Sequence, residues 1–169
     1  ARSYPDNLGE GKLFGTQEND INYLQALAYE NLGLDVQARE LFRSATQGIS
    51  EPVQAIFYND PQPDKIIYQG LSWLKLGDLQ KAQHIFMRLI EFAKQHLADD
   101  IRIDYFAVSL PDLLVFDQDL NLKNTIHCYY LMGLGHLGLG NYQEAAGCFR
   151  QVLDRDVCHH GALVHINMI

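Results

Sequence analysis

The sequence is poor in positive charge. It contains 13 Lys and Arg against 21 Asp and Glu, which gives a formal net charge of −8, and its basic residues form no run. Binding to a phosphate backbone relies on clustered cations. We therefore expect that nucleic acid is not a partner of this chain.

Long apolar runs and catalytic motifs are also missing. The sequence has no apolar stretch of about 18 residues, the length that a membrane-spanning helix needs. It has no charged-then-apolar N-terminal segment typical of a signal peptide. It contains no nucleophile elbow, phosphate-binding loop or dinucleotide-binding fingerprint. We expect no membrane partner, no cofactor and no enzymatic activity of this chain alone.

Cysteine is scarce as well. Cys128, Cys148 and Cys158 are an odd number and all lie in the last quarter of the chain, so they do not make a disulfide framework. Buried free thiols are typical of a reducing compartment. We therefore expect a cytoplasmic protein.

Length and composition are those of one globular domain. The chain has 169 residues, of which 47% are hydrophobic and 20% charged. It begins at Ala1 instead of Met and ends at Ile169 inside an apolar run. We expect it to be a piece of a longer protein.

The sequence does contain an internal repeat. Three glycines, Gly33, Gly77 and Gly140, each follow a leucine and precede an alanine by five positions. A small residue lies seven positions before each glycine, a ring four positions before it, and a phenylalanine nine positions after it. The small residues are Ala26, Gly70 and Gly133, the rings are Tyr29, Trp73 and His136, and the phenylalanines are Phe42, Phe86 and Phe149.

This pattern predicts a helical hairpin. Apolar residues before each glycine recur at helical spacing, and the glycine can adopt the left-handed conformation that ends a helix. A second helix then starts at once, with Asp78 as a predicted cap and Asn141 with Glu144 as a predicted capping box. The small residues would let the two helix axes approach closely. Because a lone hairpin cannot bury its apolar face, the hairpins must stack.

The repeat resembles the tetratricopeptide repeat family, which has a small residue, an aromatic residue, Gly, Ala and Phe at these offsets. The resemblance covers about Asn19–Thr46, Asp64–His96 and Ile126–Asp156. Only Tyr142 keeps the family's aromatic residue soon after the glycine, and Val157 replaces its closing proline. The resemblance implies an all-α, tetratricopeptide-like α-solenoid of three helical hairpins plus a terminal capping helix.

Spacing between the repeats predicts two insertions. The three glycines are 44 and 63 residues apart, whereas uninterrupted units repeat at about 34 residues. We predict a single helical-repeat domain over 1–169. Its parts are a strap or linker over 1–16, repeat 1 over 17–47, an insertion over 48–63, repeat 2 over 64–97, a second insertion over 98–123, repeat 3 over 124–156, and the capping helix over 157–169.

Three further segments, residues 4–12, 103–114 and 126–136, resemble the C-terminal repeat region of large bacterial proteins that have an N-terminal galactose-mutarotase-like domain. The resemblance implies a bacterial protein, a carbohydrate-related partner domain and no activity for this part. The leading function is therefore protein interaction or domain scaffolding. The alternative is an accessory region of a carbohydrate-active enzyme, with Glu10, Asp104 and Asp112 as candidate carboxylates.

Repeat stacks curl so that one face of each first helix lines a groove. We expect the groove to bind a protein or an adjoining domain, and six of its twelve predicted residues are Leu or Ile, so we expect it to be largely apolar. The twelve are Tyr23, Leu27, Glu30, Asn31, Ile67, Leu71, Leu74, Lys75, His127, Tyr130, Leu134 and Leu137. Only Lys75 and Asn31 suit a clamp for a peptide carboxylate, so such a clamp is disfavoured.

An apolar groove needs a cover, because large exposed apolar patches are unusual in monomers. Tyr105, Phe106 and several leucines make the second insertion strongly apolar. Two alternatives stay open for this segment. It packs on or beside the groove, or it is an ordinary helix that extends the outer wall of the stack.

Two metal hypotheses are disfavoured by spacing. Cys158, His159, His160 and His165 are zinc-ligand types, and His127 and Cys128 are more distant candidates. Residues five apart on a helix, such as 160 and 165, point to different faces.

Residues 117–121 resemble the opening of a calcium loop, but the glycine and the closing glutamate that the loop requires are replaced. We predict a polar turn in which Asn121 or Asn124 caps the third hairpin. The sequence thus predicts no metal site.

Overall fold

The computed structural model describes residues 17–54, 63–101 and 119–169. These ranges form seven α-helices and contain no β-strand. The helices are α1 (Asn19–Asn31), α2 (Asp35–Ala45), α3 (Pro63–Leu76), α4 (Leu79–His96), α5 (Leu120–Gly138), α6 (Tyr142–Leu153) and α7 (His160–Ile166). The all-α class predicted from the sequence is confirmed.

The same hydrogen-bonded turn closes all three hairpins. Gly33, Gly77 and Gly140 have φ angles of 72°, 87° and 76°, the left-handed region that glycine adopts without a Cβ clash. In the first turn, the Gly33 amide donates to Glu30 O at 3.0 Å and the Leu34 amide donates to Tyr29 O at 2.9 Å. Equivalent pairs of bonds close the other two turns. This is the Schellman motif, and it confirms that the glycines end the first helices.

The helix caps match the predictions only in part. Asp78 caps α4 as predicted, because its carboxylate accepts from the Lys81 amide at 3.1 Å. The prediction of a capping box at Asn141 is wrong. The Asn141 side chain accepts no bond from the first turn of α6, which is described in full, and lies 3.4 Å from His136 Nδ1.

The cap of α5 is also not the predicted one. Asp119 caps this helix, and its Oδ1 accepts from the amides of Asn121 and Leu122 at 3.0 Å. Asn121 and Asn124 lie inside α5. The prediction that one of them caps the third hairpin is wrong because the helix begins at Leu120.

Within a hairpin, the phenylalanine of the second helix packs on the small residue of the first. A Cβ added at Gly133 would lie 2.5 Å from Cε1 of Phe149, and a Cβ at Gly70 would enter the space of the Phe86 ring. Phe86 and Phe149 are fully buried. The small residues are therefore required by the ring that covers them as well as by the close approach of the two axes.

Between the second and third hairpins, two further glycines allow close packing. A Cβ at Gly135 would lie 2.6 Å from Ile90 Cγ1 and 2.6 Å from the Phe86 carbonyl oxygen, and a Cβ at Gly138 would overlap the Phe86 ring. Phe86 is thus held between Gly70 on α3 and Gly138 on α5. The repeat pattern did not predict this contact.

The hairpins stack in a regular order. α1 packs on α3, α3 on α5 and α5 on α7, while α2, α4 and α6 each also pack on the first helix of the next unit. The terminal helix α7 therefore occupies the position of the first helix of a fourth hairpin. This packing confirms the predicted solenoid of three hairpins with a terminal capping helix.

Candidate functional site

The structure places the predicted groove residues at very different depths. Asn31 and Lys75 are exposed, whereas Leu27, Glu30, Leu71 and Leu74 are partly buried. The buried members are Tyr23, Ile67, His127, Tyr130, Leu134 and Leu137. The accessible members lie on α1 and α3, and the six Leu and Ile side chains pack in or against the core.

Glu30 and Lys75 join the two accessible helices. Lys75 Nζ lies 2.5 Å from Glu30 Oε2 and 5.9 Å from the centroid of the Phe42 ring. A peptide carboxylate that bound Lys75 would compete with Glu30 for the same ammonium group. This pairing gives a physical reason to disfavour a carboxylate clamp.

The His127 side chain makes a hydrogen bond within the protein. Its Nε2 lies 2.7 Å from the carbonyl oxygen of Val53, so the imidazole ties α5 to the segment that leaves α2. The same segment is held at Ile49, whose carbonyl accepts from Gln69 at 3.1 Å. His127 therefore holds α5 against the segment at Val53.

The packed interior of the stack brings together three tyrosines and two histidines, which we call the tyrosine–histidine cluster (Tyr23, Tyr68, Tyr130, His159 and His165). The ring centroids of Tyr23 and Tyr68 are 5.4 Å apart, and those of Tyr68 and His165 are 6.0 Å apart. Tyr130 lies 5.8 Å from His165 and 4.7 Å from His159. The cluster thus connects α1, α3, α5 and both ends of the short helix α7.

His165 presents one ring nitrogen without a partner. Its Nδ1 lies 2.7 Å from the carbonyl oxygen of Gly161 and 3.1 Å from the Tyr130 hydroxyl. A carbonyl can only accept, so Nδ1 carries the proton and donates to Gly161. The other nitrogen, Nε2, is then a bare acceptor, and it is buried with no hydrogen-bond partner among the described residues.

Two carboxylates adjoin the cluster, Asp20 in the first turn of α1 and Asp64 in the first turn of α3. Asp20 Oδ2 lies 2.6 Å from Lys65 Nζ. The Oδ1 atoms of Asp20 and Asp64 are buried and have no hydrogen-bond donor within the described part of the chain.

Burial shifts the pKa of the tyrosines and histidines of the cluster. Burial, followed by the charges of Asp64 and Asp20, raises the pKa of Tyr68 to about 12. Burial also raises the pKa of Tyr23 and Tyr130. Burial lowers the pKa of His165, and the hydrogen bond to the Gly161 carbonyl and the charge of Asp64 oppose this effect only in part. All three phenols therefore keep their protons while the imidazole is neutral.

His159 holds α7 against the cluster. Its Nδ1 accepts from the Ala162 amide at 3.1 Å and so caps α7, while its ring edge meets Tyr130. Burial lowers the pKa of His159, with Asp156 opposing. An imidazole that accepts at Nδ1 must be unprotonated there, so both the cap and the burial favour the neutral form.

The sequence predicted only part of the tyrosine–histidine cluster and its adjoining carboxylates. Tyr23 and Tyr130 were predicted groove residues, but Asp20, Asp64 and Tyr68 were missed. A usable signal existed, because Asp20 and Asp64 each lie 13 residues before the glycine of their own repeat.

The residues considered for zinc are dispersed. Cys128 is buried in α5, while Cys158 is exposed and His160 is exposed. No three His, Cys, Asp or Glu side chains in residues 17–54, 63–101 and 119–169 come together to hold a metal ion.

Several predicted features lie outside the described residues. These are the strap over 1–16, the carboxylates Glu10, Asp104 and Asp112, residue Asp117 of the calcium-like segment, and the apolar part of the second insertion. In the part of the chain that the structure does describe, no helix combines the length and apolar character needed to cross a membrane.

The fold is an α-solenoid of helical hairpins. Comparison with known families identifies a helical repeat in the third hairpin. A family profile described as tetratricopeptide repeat matches residues 126–156, which contain most of α5 and all of α6. The match supports a tetratricopeptide family, and the stack as a whole is tetratricopeptide-like. No solved structure matches the chain significantly.

Proposed function

We propose that this chain is a protein-interaction or domain-scaffolding module of a larger bacterial protein, acting in the cytoplasm. Tetratricopeptide repeats generally mediate contacts between proteins, and the profile match over 126–156 supports this class. The observation that carries the proposal is the stack itself. Three hairpins closed by the same turn place α1, α3 and α5 side by side, and we propose that the accessible groove residues of α1 and α3 form the surface that another polypeptide contacts.

The accessible part of this surface is polar at its rim. Asn31 and Lys75 are exposed, and Glu30 is partly so, while Leu27 and Leu71 add partly buried apolar surface beside them. Such a combination of a polar rim and apolar patches is typical of interfaces between proteins. We propose that the partner, or an adjoining domain of the same protein, contacts α1 and α3 here.

Site-specific crosslinking tests this proposal. A photoreactive benzophenone side chain would replace Asn31 on α1, and a matched variant would carry it at Gln83, an exposed position of α4. We expect an adduct of discrete mass from position 31 and none from position 83 when the chain is illuminated in its native cells. Equal labelling from both positions would contradict a specific inner surface.

The second candidate is an accessory region of a carbohydrate-active enzyme. It is favoured by the carboxylates of Asp20 and Asp64 beside three tyrosines, since polar and aromatic groups of this kind could complete a sugar site of an adjoining domain. The full-length protein would be assayed against a glycoside panel with and without residues 17–169. Activity that disappears on deletion, with the remaining domain still folded, would favour this candidate over scaffolding.

A further inference from the structure

Residues 47–54, which we call the crossing segment, reach further along the stack than a connection from α2 to α3 requires. They form no helix or strand, yet they contact side chains of all three hairpins. Connections between packed helices usually take about 2–8 residues, and such a connection would touch only the first and second hairpins. The contact with the third hairpin therefore needs another explanation than the joining of α2 to α3.

One side chain from the first helix of each hairpin bonds to the backbone of the crossing segment. On α1, Asn19 donates to the Gln47 carbonyl at 2.7 Å, and on α3, Gln69 donates to the same carbonyl at 3.2 Å. On α5, His127 Nε2 lies 2.7 Å from the Val53 carbonyl oxygen. Because a carbonyl can only accept, His127 is the donor of this bond. The stack thus holds a non-helical stretch of polypeptide by its main chain.

Side chains of the crossing segment are recognised as well. The Glu51 carboxylate accepts from Arg88 on α4 at 2.8 Å, and the next residue, Pro52, is buried. The Gln54 side-chain amide donates to Asp99 Oδ2 at 2.9 Å. Together with the carbonyl bond on α5, four consecutive residues each have a defined environment. This is the kind of readout that a site for a short peptide provides.

The receiving side of these contacts is held in place by bonds of its own. Asp99 Oδ2 also lies 2.6 Å from His96 Nδ1, and the His96 and Phe92 ring centroids are 4.3 Å apart. The His96 carbonyl accepts from Asn124 Nδ2 at 2.8 Å, which ties the end of α4 to α5. Sites supported by helices in this way are well ordered. We therefore expect the receiving side to keep its shape when the crossing segment leaves it.

The outer contacts of the crossing segment are open to water. The side chains of Glu51 and Arg88 are 63% and 37% exposed, and that of Asp99 is 38% exposed. Ion pairs at such exposure add little stability, and segments with few buried apolar contacts open locally at low cost. A competing peptide that carries the same groups can therefore replace this segment without the unfolding of a hairpin.

We propose that Arg88, Asp99 and His127 form a recognition site for an extended peptide segment of a partner protein, and that residues 51–54 fill this site in the free chain. The partner segment carries a carboxylate, a proline, an apolar residue and a side-chain amide, in that order. This inference goes beyond the proposed surface on α1 and α3, and it rests on the proposed interaction function. It gives the chain a self-blocked state, which ends when a partner segment displaces the internal one.

The test vacates the site and offers the peptide as a separate molecule. In the vacated chain, residues 50–54 are replaced by Gly-Ser-Gly-Ser-Gly, and the fluorescein-labelled peptide Ser-Glu-Pro-Val-Gln-amide is titrated by fluorescence polarisation. We expect the vacated chain to bind this peptide. The intact chain should bind it at least about tenfold more weakly, because its own segment competes at a high effective concentration. A peptide with glutamine in place of glutamate should bind the vacated chain more weakly.

Matched variants separate the site from general electrostatics. In the vacated chain, Arg88→Gln should weaken binding by about threefold to fivefold, as expected for the loss of an exposed ion pair. Arg39→Gln removes the same charge from an exposed position of α2 and should leave the affinity unchanged. Circular dichroism would verify that each variant folds. If the vacated chain does not fold, Glu51→Lys in the intact chain replaces it, because this change breaks the contact with Arg88 and should raise the affinity for the glutamate peptide.

Each outcome decides one point. Binding to the vacated chain and weak binding to the intact chain would support the self-blocked site. No binding to a folded vacated chain up to about 10 mM, where even a millimolar site would be largely occupied, would overturn the proposal. If the vacated chain bound the intact chain in sedimentation experiments, a second copy would be the occupant and a different partner would be refuted. A crosslinked partner at position 31 without any peptide binding would keep the interaction function and reject only this site.

Discussion

The most discriminating prediction concerns two glycines that lie in neighbouring helices. Gly133 on α5 faces Phe149, and an added Cβ would lie 2.5 Å from Cε1 and 2.7 Å from Cδ1 of that ring. Gly147 on α6 has no described atom within 4 Å of the same hypothetical Cβ. Replacing each glycine by alanine therefore makes the same chemical change in a crowded site and in an open one.

The expected magnitudes follow from two opposing effects. Alanine in place of glycine in a helix interior gains about 1 kcal/mol from backbone entropy, and both variants receive this gain. Overpacking a buried site costs typically about 1–3 kcal/mol, and only Gly133→Ala incurs this cost, because the Phe149 ring cannot leave a fully buried position. Gly147→Ala should be more stable than Gly133→Ala by about 1–3 kcal/mol.

Urea denaturation followed by far-ultraviolet circular dichroism measures the free energy of unfolding of both variants and of the parent chain. We expect Gly147→Ala to raise the midpoint and Gly133→Ala to lower it or leave it close to the parent value. The double variant Gly133→Ala with Phe149→Leu should recover part of the loss, because the smaller side chain frees the space. If both single variants were stabilised equally, the packing of Phe149 on Gly133 would be refuted.

Three further predictions concern the turns, the caps and the histidines. Gly140→Ala should destabilise the fold by about 1–2 kcal/mol, because φ is 76° there and left-handed backbone strains an L residue; an unchanged urea midpoint would contradict this. Asp78→Ala should lower the urea midpoint by removing a helix cap, whereas Asn141→Ala, which removes no cap bond, should lower it clearly less. Because burial lowers the pKa of His159 and His165, the unfolded chain binds more protons in acid. The contribution of these histidines to the free energy of unfolding should therefore be fully present above the unfolded pKa of about 6.5 and be lost as the pH falls below it. Urea midpoints at several pH values measure this, and the control variant His165→Phe should show a weaker pH dependence.

The hairpins could be predicted because their signals are local. Glycine at the end of a helix determines the turn through its own φ angle, and the alanine and phenylalanine that follow lie within ten residues of it. The prediction of a turn at such a glycine therefore needs no information about distant parts of the chain. The profile match over the third hairpin and the three equivalent turns confirm this part of the prediction.

The candidate site could not be predicted in the same way, because its members are distant in sequence. Asp20, Tyr68 and His165 come near one another only when α1, α3 and α7 stack. Because long segments of sequence separate these helices, no local pattern predicts that they pack together. His165 was considered only as a zinc ligand, since an isolated imidazole on a short helix gives no sign of its partners. The prediction of a cap at Asn141 failed for a different and local reason, because its side-chain amide lies 3.4 Å from Nδ1 of the nearby His136.

The two joints between hairpins differ in kind, and this difference has a mechanical consequence. Phe86 is locked between the backbones of Gly70 and Gly138, a dry contact that any bending would have to break. The equivalent ring of the first hairpin, Phe42, instead lies near the ammonium group of Lys75, which is also paired with Glu30 at the surface. Dissolved ions screen such surface contacts but leave buried ring packing unaffected. Added salt should therefore weaken this one contact between the first and second hairpins, while the packing of Tyr23 on Tyr68 and of Phe86 between its two glycines is unaffected.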